Sequence, residues 1–195
     1  MKHCVILVPG LGDRIPRHAW LTRGWEKENV EVIIHSVPWN DKEESFQPKL
    51  ARLIKLIDAL YSKGYKVSLV GTSAGGSMVI NACMKRKIKI HRVINVCGRV
   101  KEGDNVFPSL EIAARDFTAF IESVRQCEEN LQHISSKDKT KIMTVSPWPF
   151  DGIVPMSCIP IVGAVNITLP VPFHMLGIGA ALSFFRKPLI AFIKN

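Results

Sequence analysis

Six short apolar runs, each followed by a stretch with helical spacing, constrain this chain more than any other feature of its sequence. They are "CVILV" (4–8), "EVIIHSV" (31–37), "KVSLVG" (66–71), "RVINVC" (92–97), "KIMTVS" (141–146) and "VGAVNITL" (162–169). Most are continuously apolar rather than alternating, which is the pattern of strands buried on both faces of a parallel sheet. The intervening segments carry helical periodicity. In "PKLARLIKLIDALYSKG", Leu50, Leu53, Ile54, Ile57, Leu60 and Tyr61 recur at i, i+3, i+4, i+7. Pro48 suits the first turn of that helix and Gly64 its left-handed stop. Leu110, Ala114, Phe117, Ile121, Val124 and Leu131 predict one further covering helix between residues 109 and 131. The expected fold class is α/β: a three-layer α/β/α sandwich around a mainly parallel sheet of about six strands, joined by right-handed crossovers.

The chain has 195 residues, no internal repeat and no linker, so a single domain over 1–195 is expected. A content of 47% hydrophobic and 22% charged residues excludes a disordered chain. Five cysteines (4, 83, 97, 127 and 158) form no C-x-x-C pair and leave an odd one. That pattern signals neither a disulfide framework nor a zinc site, and it predicts reduced thiols in a cytoplasm. The net charge of +9 comes from scattered residues, and the short "KRKIK" run follows a helix. No nucleic-acid motif accompanies it, so the charge reads as solvated surface and no nucleic-acid partner is expected.

The first residues, "MKHCVILVPG", lack a long apolar core and a cleavage site, and Pro9-Gly10 breaks them early. They read as a first strand rather than a signal peptide. "MLGIGAALSFFRKPLIAFIKN" is interrupted at Arg186, Lys187 and Pro188 after eleven apolar or small residues, too few to span a bilayer. It predicts a buried helix to about Phe185 and a short one from near Pro188, and no membrane contact is expected. The loop "GRVKEGDNVFPS" (98–109) follows a strand's C-terminal end, where open α/β sheets bind ligands. It reads equally as a pocket wall or as a plain surface connection.

Chemistry concentrates at "GTSAGG", residues 71–76, set between a strand-like and a helix-like run. Gly71-Thr72-Ser73-Ala74-Gly75 is a G-x-S-x-G sequence, with Ser73 its candidate nucleophile. A serine at a strand-to-helix turn stands exposed in a strained conformation, and its neighbours must be small because strand and helix pass closely. The helix N-terminus behind it offers free N–H groups to a developing oxyanion. A phosphate-binding reading of "GTSAGGS" fails for lack of the lysine. A dinucleotide reading of "VPGLGDR" fails for lack of the third glycine, so no cofactor or metal is called for.

With this motif the chain resembles the α/β-hydrolase family, as a small member without a cap domain. The resemblance covers nearly the whole chain in element order, and the elbow is its one strongly specific motif. It implies a carboxylesterase-type serine hydrolase whose triad runs Ser, Asp or Glu, then His along the chain. His3, His18, His35 and His91 stand too early for that order, and His133 lies in a predicted helix. His174, in "PVPFHML", follows the last strand, where the family keeps its base. Asp151, in "SPWPFDG", stands just past the fifth strand, whereas Asp104, Asp116 and Asp138 lie in a loop, a helix and a lysine-rich connection. By the same resemblance the oxyanion hole is formed by the backbone N–H groups of Ala74 and Leu11. Gly10 and Gly12 beside Leu11 would let substrate approach the backbone. Trp148, Phe150 and Phe173 flank the acid and base and read equally as contacts for an apolar part of the substrate or as core residues.

The chain departs from the family pattern at three places. Pro9 stands where many members have histidine, "SPWPF" where many have a glycine before the acid, and Phe173 where many have a glycine before the base. The expected reaction is hydrolysis of a small ester or thioester through an acyl-enzyme on Ser73. Two alternatives stay open. "GTSAGG" and "DG" echo the patatin-like acyl hydrolases, which use a Ser-Asp dyad, though their glycine-rich oxyanion motif is not reproduced in "VPGLGDR". A binding protein on the same fold without catalysis is the other.

Overall fold

A computed structural model describes residues 2–12, 14–41 and 45–195. All six expected strands form: β1 (His3–Val8), β2 (Val30–Ile34), β3 (Lys66–Thr72), β4 (Ile90–Val96), β5 (Ile142–Pro147) and β6 (Val165–Leu169). They make one sheet in the order β2-β1-β3-β4-β5-β6, and every pairing is parallel. Parallel neighbours need crossover connections, and helices supply them on both faces. Along β1, Cys4, Ile6 and Val8 point into one core while Val5 and Leu7 point into the other, and all five are fully buried. That two-sided burial is why the run is unbroken in hydrophobicity.

The first core is filled by α2 (Phe46–Ser62), α3 (Gly75–Lys85) and α5 (Thr118–Gln132), through residues such as Leu53, Ile57, Met78, Val124 and Cys127. The second is filled by α1 (Ile15–Thr22), α7 (His174–Leu182) and α8 (Arg186–Lys194), through Leu21, Ile178, Leu182, Leu189 and Ile193. These are the two outer layers of an α/β/α sandwich. Helix α2 takes Pro48 into its first turn, and Gly64, at φ 82°, follows its end.

The expected single helix over 109–131 is two. Helix α4 (Leu110–Ala114), capped by the Ser109 hydroxyl, ends where the Phe117 N–H turns back to the Ala114 carbonyl, and α5 starts anew at Thr118, followed by the one-turn α6 (Ser136–Lys139). Leu110, Ala114 and Val124 all face the first core, so the apolar spacing keeps its phase across the break and cannot reveal it. Helix α7 likewise ends at Leu182, short of Phe185. No helix among the described residues is long and apolar enough to cross a membrane; α7 and α8 meet at 57°.

The loop 98–109 is organised from within. The buried Arg99 guanidinium donates to the carbonyls of Lys101, Glu102 and Pro108 at 3.3, 2.5 and 3.0 Å. A charge out of water is tolerated only with such partners, and here they fix the loop's path.

At the opposite, N-terminal edge of the sheet His91 of β4 packs edge-on to His3 of β1, ring centroids 6.0 Å apart. Burial, then Lys66, Arg92 and His3, push the His91 imidazole down from 6.5 to about 4. The unfolded chain therefore takes up a proton that the folded chain refuses. Stability is full above about pH 6.5 and falls as the pH drops from there toward about 4. Thermal denaturation followed from about pH 7 to about pH 5 should show Tm falling in the wild type and falling less in His91→Gln. Parallel curves for the two proteins would refute this account.

Candidate active site

The strand order reverses between β1 and β3: the chain leaves β1 for β2 on one side and returns to β3 on the other. The connections after those two strands run apart, and a crevice opens at their C-terminal ends. The loop after β1 carries Gly10, Leu11 and Gly12, and Ser73 follows directly on β3. An open cleft of about 500 Å³ lies there, lined by both segments and by Arg14, Arg17, His18, Thr72, Ile153, His174, Met175 and Ile178. That size suits a small or medium ligand.

Ser73 has φ 53°, a left-handed conformation that disfavours any residue with a Cβ. It is held there by its N–H bonded to the Val96 carbonyl at 3.0 Å and its carbonyl bonded to the Gly76 N–H at 2.9 Å. Helix α3 starts two residues on because backbone meets backbone: a Cβ on Gly75 would lie 2.1 Å from the Val8 carbonyl oxygen. Gly10 is pressed as closely, since a Cβ there would come within 2.6 Å of Ser73 Cβ.

His174, the first residue of α7, brings its Nε2 to 2.9 Å from Ser73 Oγ. Its Nδ1 lies 2.9 Å from each carboxylate oxygen of Asp151. A carboxylate only accepts, so Nδ1 carries the hydrogen and Nε2 is left to accept from the serine hydroxyl. Asp151 Oδ1 also accepts from the N–H groups of Ile153 and Val154, at 3.1 and 2.7 Å. His174 and Asp151 are 3% and 1% exposed, so water does not compete for the contact between them. Two main-chain bonds fix the segments that carry them: His174 N–H to Asp151 carbonyl, 2.7 Å, and Phe173 N–H to Phe150 carbonyl, 3.0 Å. A hydroxyl against an imidazole oriented in this way can lose its proton while attacking a carbonyl.

Three sequence-assigned residues lie elsewhere than expected. Trp148, Phe150 and Phe173 do not line the cleft; they are 59%, 45% and 50% exposed. Phe150 and Phe173 pack edge-on to each other, centroids 4.9 Å apart. Adjacent residues of an irregular segment point in different directions, so their closeness in sequence to the acid and base carries no information about the cleft. Phe173 also explains one departure from the family pattern. It adopts φ 67°, the glycine-like conformation, and retains an aromatic ring that packs on Phe150.

Leu11, Gly10 and Gly12 do line the cleft, while Ala74, next to Ser73, is buried beneath it. Among the described residues neither the Leu11 nor the Ala74 N–H is spent on a backbone acceptor. The loop 98–109 does not line the cleft. Its place is taken by α1, which sequence reading left without a role. His18 of α1 bonds the Arg14 carbonyl through Nδ1 (2.9 Å) and Thr72 Oγ1 through Nε2 (3.1 Å), pinning α1 to the end of β3. The indole of Trp39 donates to the Pro9 carbonyl at 3.3 Å and supports the β1 loop from behind. Four of the cysteines are poor nucleophiles: burial pushes the thiols of Cys4 and Cys83 up to about 11, and those of Cys97 and Cys127 upward too.

This architecture, with a serine at the β3–α3 turn, is the α/β-hydrolase fold, and solved structures match it over nearly the full chain. A chain of the metagenome-derived lipolytic enzymes LipS and LipT superposes with a TM-score of 0.72 at 13% identity, covering 99% of this chain and 94% of its own. The hydrolase olei00960 from Oleispira antarctica gives 0.72 at 14% identity, covering 100% and 92%. The ydeN gene product of B. subtilis gives 0.65 at 15% identity, covering 99% and 100%. No protein-family model and no curated protein matches the sequence.

Adding a methyl at Gly75 should force β1 and α3 apart. Gly75→Ala is expected to cost about 1–3 kcal/mol, the usual penalty for overpacking. Urea denaturation of both proteins measures it, and an unchanged midpoint would show that the elbow is looser than its contacts imply.

Proposed function

We propose that this chain is a serine hydrolase of carboxylic esters or thioesters. Ser73 is the nucleophile, His174 the general base and then acid, and Asp151 the group that orients the imidazole. The observation that carries this reading is the unbroken contact from Asp151 through His174 to Ser73, each step at 2.9 Å. As Ser73 Oγ attacks the carbonyl carbon, His174 Nε2 takes its proton and returns it to the departing alcohol or thiol. Water, deprotonated by the same nitrogen, then attacks the acyl-enzyme and frees the acid. The N–H groups of Leu11 and Ala74 hold the oxyanion in both halves, each worth roughly 2.7–4 kcal/mol at such a position.

Several observations support the reading. Similar structures include proteins described as lipolytic enzymes and as a hydrolase. The cleft walls Leu11, Ile153, Met175 and Ile178 suit an apolar portion of a small or medium ester, in place of the three outlying aromatics. A Ser-Asp dyad loses support, because the imidazole stands between Asp151 and Ser73. The five free, buried cysteines favour a reducing compartment such as the cytoplasm.

A fluorophosphonate probe tests the proposal directly. The wild type should label, Ser73→Ala should not, and His174→Ala should hydrolyse para-nitrophenyl butyrate more slowly by on the order of 10⁴- to 10⁶-fold. Labelling that persists in Ser73→Ala, or near-normal turnover in His174→Ala, would refute the triad. A wild type inert to probe and ester alike would favour the binding protein.

A further inference from the structure

Two cations line the cleft, and the hydrolytic chemistry uses neither. Arg14 precedes α1 and Arg17 lies in its first turn. Arg17 reaches across to α7, donating from Nη2 to the Met175 carbonyl at 3.2 Å, one residue past His174. Arg14 lies over the β1 loop: a Cβ on Gly12 would stand 3.8 Å from its Cγ and Nε. The guanidinium groups thus flank Ser73 from the base side and from the oxyanion side. Among the described residues no carboxylate lines the cleft and neither arginine has an ion-pair partner. Arg86 and Arg125 are matched, with Asp58 at 3.0 Å and Glu102 at 3.2 Å, whereas Arg92, Arg99 and Arg186 bond backbone carbonyls.

Their placement also opposes helix stability. The first turn of α1 has no acidic residue, and cations at the positive end of a helix are unfavourable. A bound anion would reverse that cost, meeting the dipole and both side chains together. Arginine's planar fork matches carboxylate and phosphate oxygens, and the apolar walls of the cleft strengthen the attraction.

We propose that the ester cleaved here carries a carboxylate or phosphate, bound by Arg14 and Arg17 while Ser73 attacks. This rests on the hydrolase reading and narrows its substrate class. Two matched pairs test it by kcat/KM. Para-nitrophenyl hydrogen glutarate against para-nitrophenyl pentanoate places the charge on the acyl side. Para-acetoxybenzoate against phenyl acetate places it on the alcohol side.

The wild type should favour the anion in at least one pair by roughly ten-fold or more, as one hydrogen bond between charged groups provides. The ratio should fall to about one in Arg14→Gln/Arg17→Gln and shrink as salt is raised. Because it is taken within each protein, a general loss of activity cancels. Preference confined to phosphatidylglycerol over phosphatidylcholine vesicles would assign the anion to a lipid headgroup; preference in the soluble pairs assigns it to a small acid. Ratios near one throughout, or a preference that survives the double substitution, would overturn the inference and leave the hydrolase standing. Should no ester be turned over through Ser73, the hydrolase reading fails by itself. Titration of Ser73→Ala with para-acetoxybenzoate and phenyl acetate then decides the binding part alone: selective binding of the anion that needs the arginines upholds them as an anion subsite, and equal binding ends the inference.

Discussion

The rest of the site depends on backbone passing backbone where β3 becomes α3. Gly75 lies against the Val8 carbonyl of β1, and a Cβ on Gly71 would stand 2.2 Å from the Gly75 carbonyl oxygen. With no room for a loop, the chain must turn within two residues, and Ser73 takes the left-handed conformation that a turn so short requires. The same closeness fixes the β1 loop beside the serine, because Gly10 touches it directly. A candidate nucleophile, two candidate oxyanion donors and one wall of the cleft are therefore set by a single contact between three main-chain segments. None of them relies on a long, mobile side chain.

Strand identity was legible because two-sided burial leaves its mark on nearly every residue of β1, β3, β4 and β5. Ser73, Asp151 and His174 were legible because chain order, element boundaries and one short motif all bear on them. What escaped reading has physical reasons. The break at Arg115–Phe117 preserves the helical phase, so periodicity passes over it. The conformation of Phe173 is hidden because its identity reports the ring packed on Phe150, whereas its φ is dictated by the Asp151–His174 contact. The role of α1 was invisible because His18, Arg14 and Arg17 meet the site only through the strand order, and side chains so far apart in sequence carry no mutual signal. Arg99 likewise looks like surface charge until three carbonyls of its own loop are seen around it.

Support for the elbow comes from below as well. Asn95 of β4 is fully buried, and its amide is satisfied on both sides. Its Oδ1 accepts from the Gly98 N–H at 3.1 Å, and its Nδ2 donates to the Gly98 carbonyl at 2.9 Å. Gly76 of α3 packs on that amide so closely that a Cβ would lie 2.0 Å from Oδ1. A buried polar group with every partner in place is rigid, since any shift exposes an unpaired donor or acceptor. The helix start behind Ser73 thus rests on a hydrogen-bonded platform rather than on deformable apolar packing.

The distribution of backbone strain follows the same logic. Among the described residues five other than glycine have positive φ, and two of them, Asn29 and Asn105, are of the kind that tolerates it in turns. The other three are Ser73, Cys97 and Phe173, and all lie at the C-terminal edge of the sheet. Cys97 follows directly on β4 with its sulfur against Gly177 of α7, while Phe173 immediately precedes His174. Each is a residue that pays for its conformation, held by hydrogen bonds to strands or to the acid loop. Strain of this kind persists only where the surroundings over-determine it. Here it converges on the segments that present the hydroxyl and the imidazole to each other, and both groups hold their relative position before any substrate arrives. For the proposed hydrolysis, that is the condition under which alignment costs nothing at the moment of reaction.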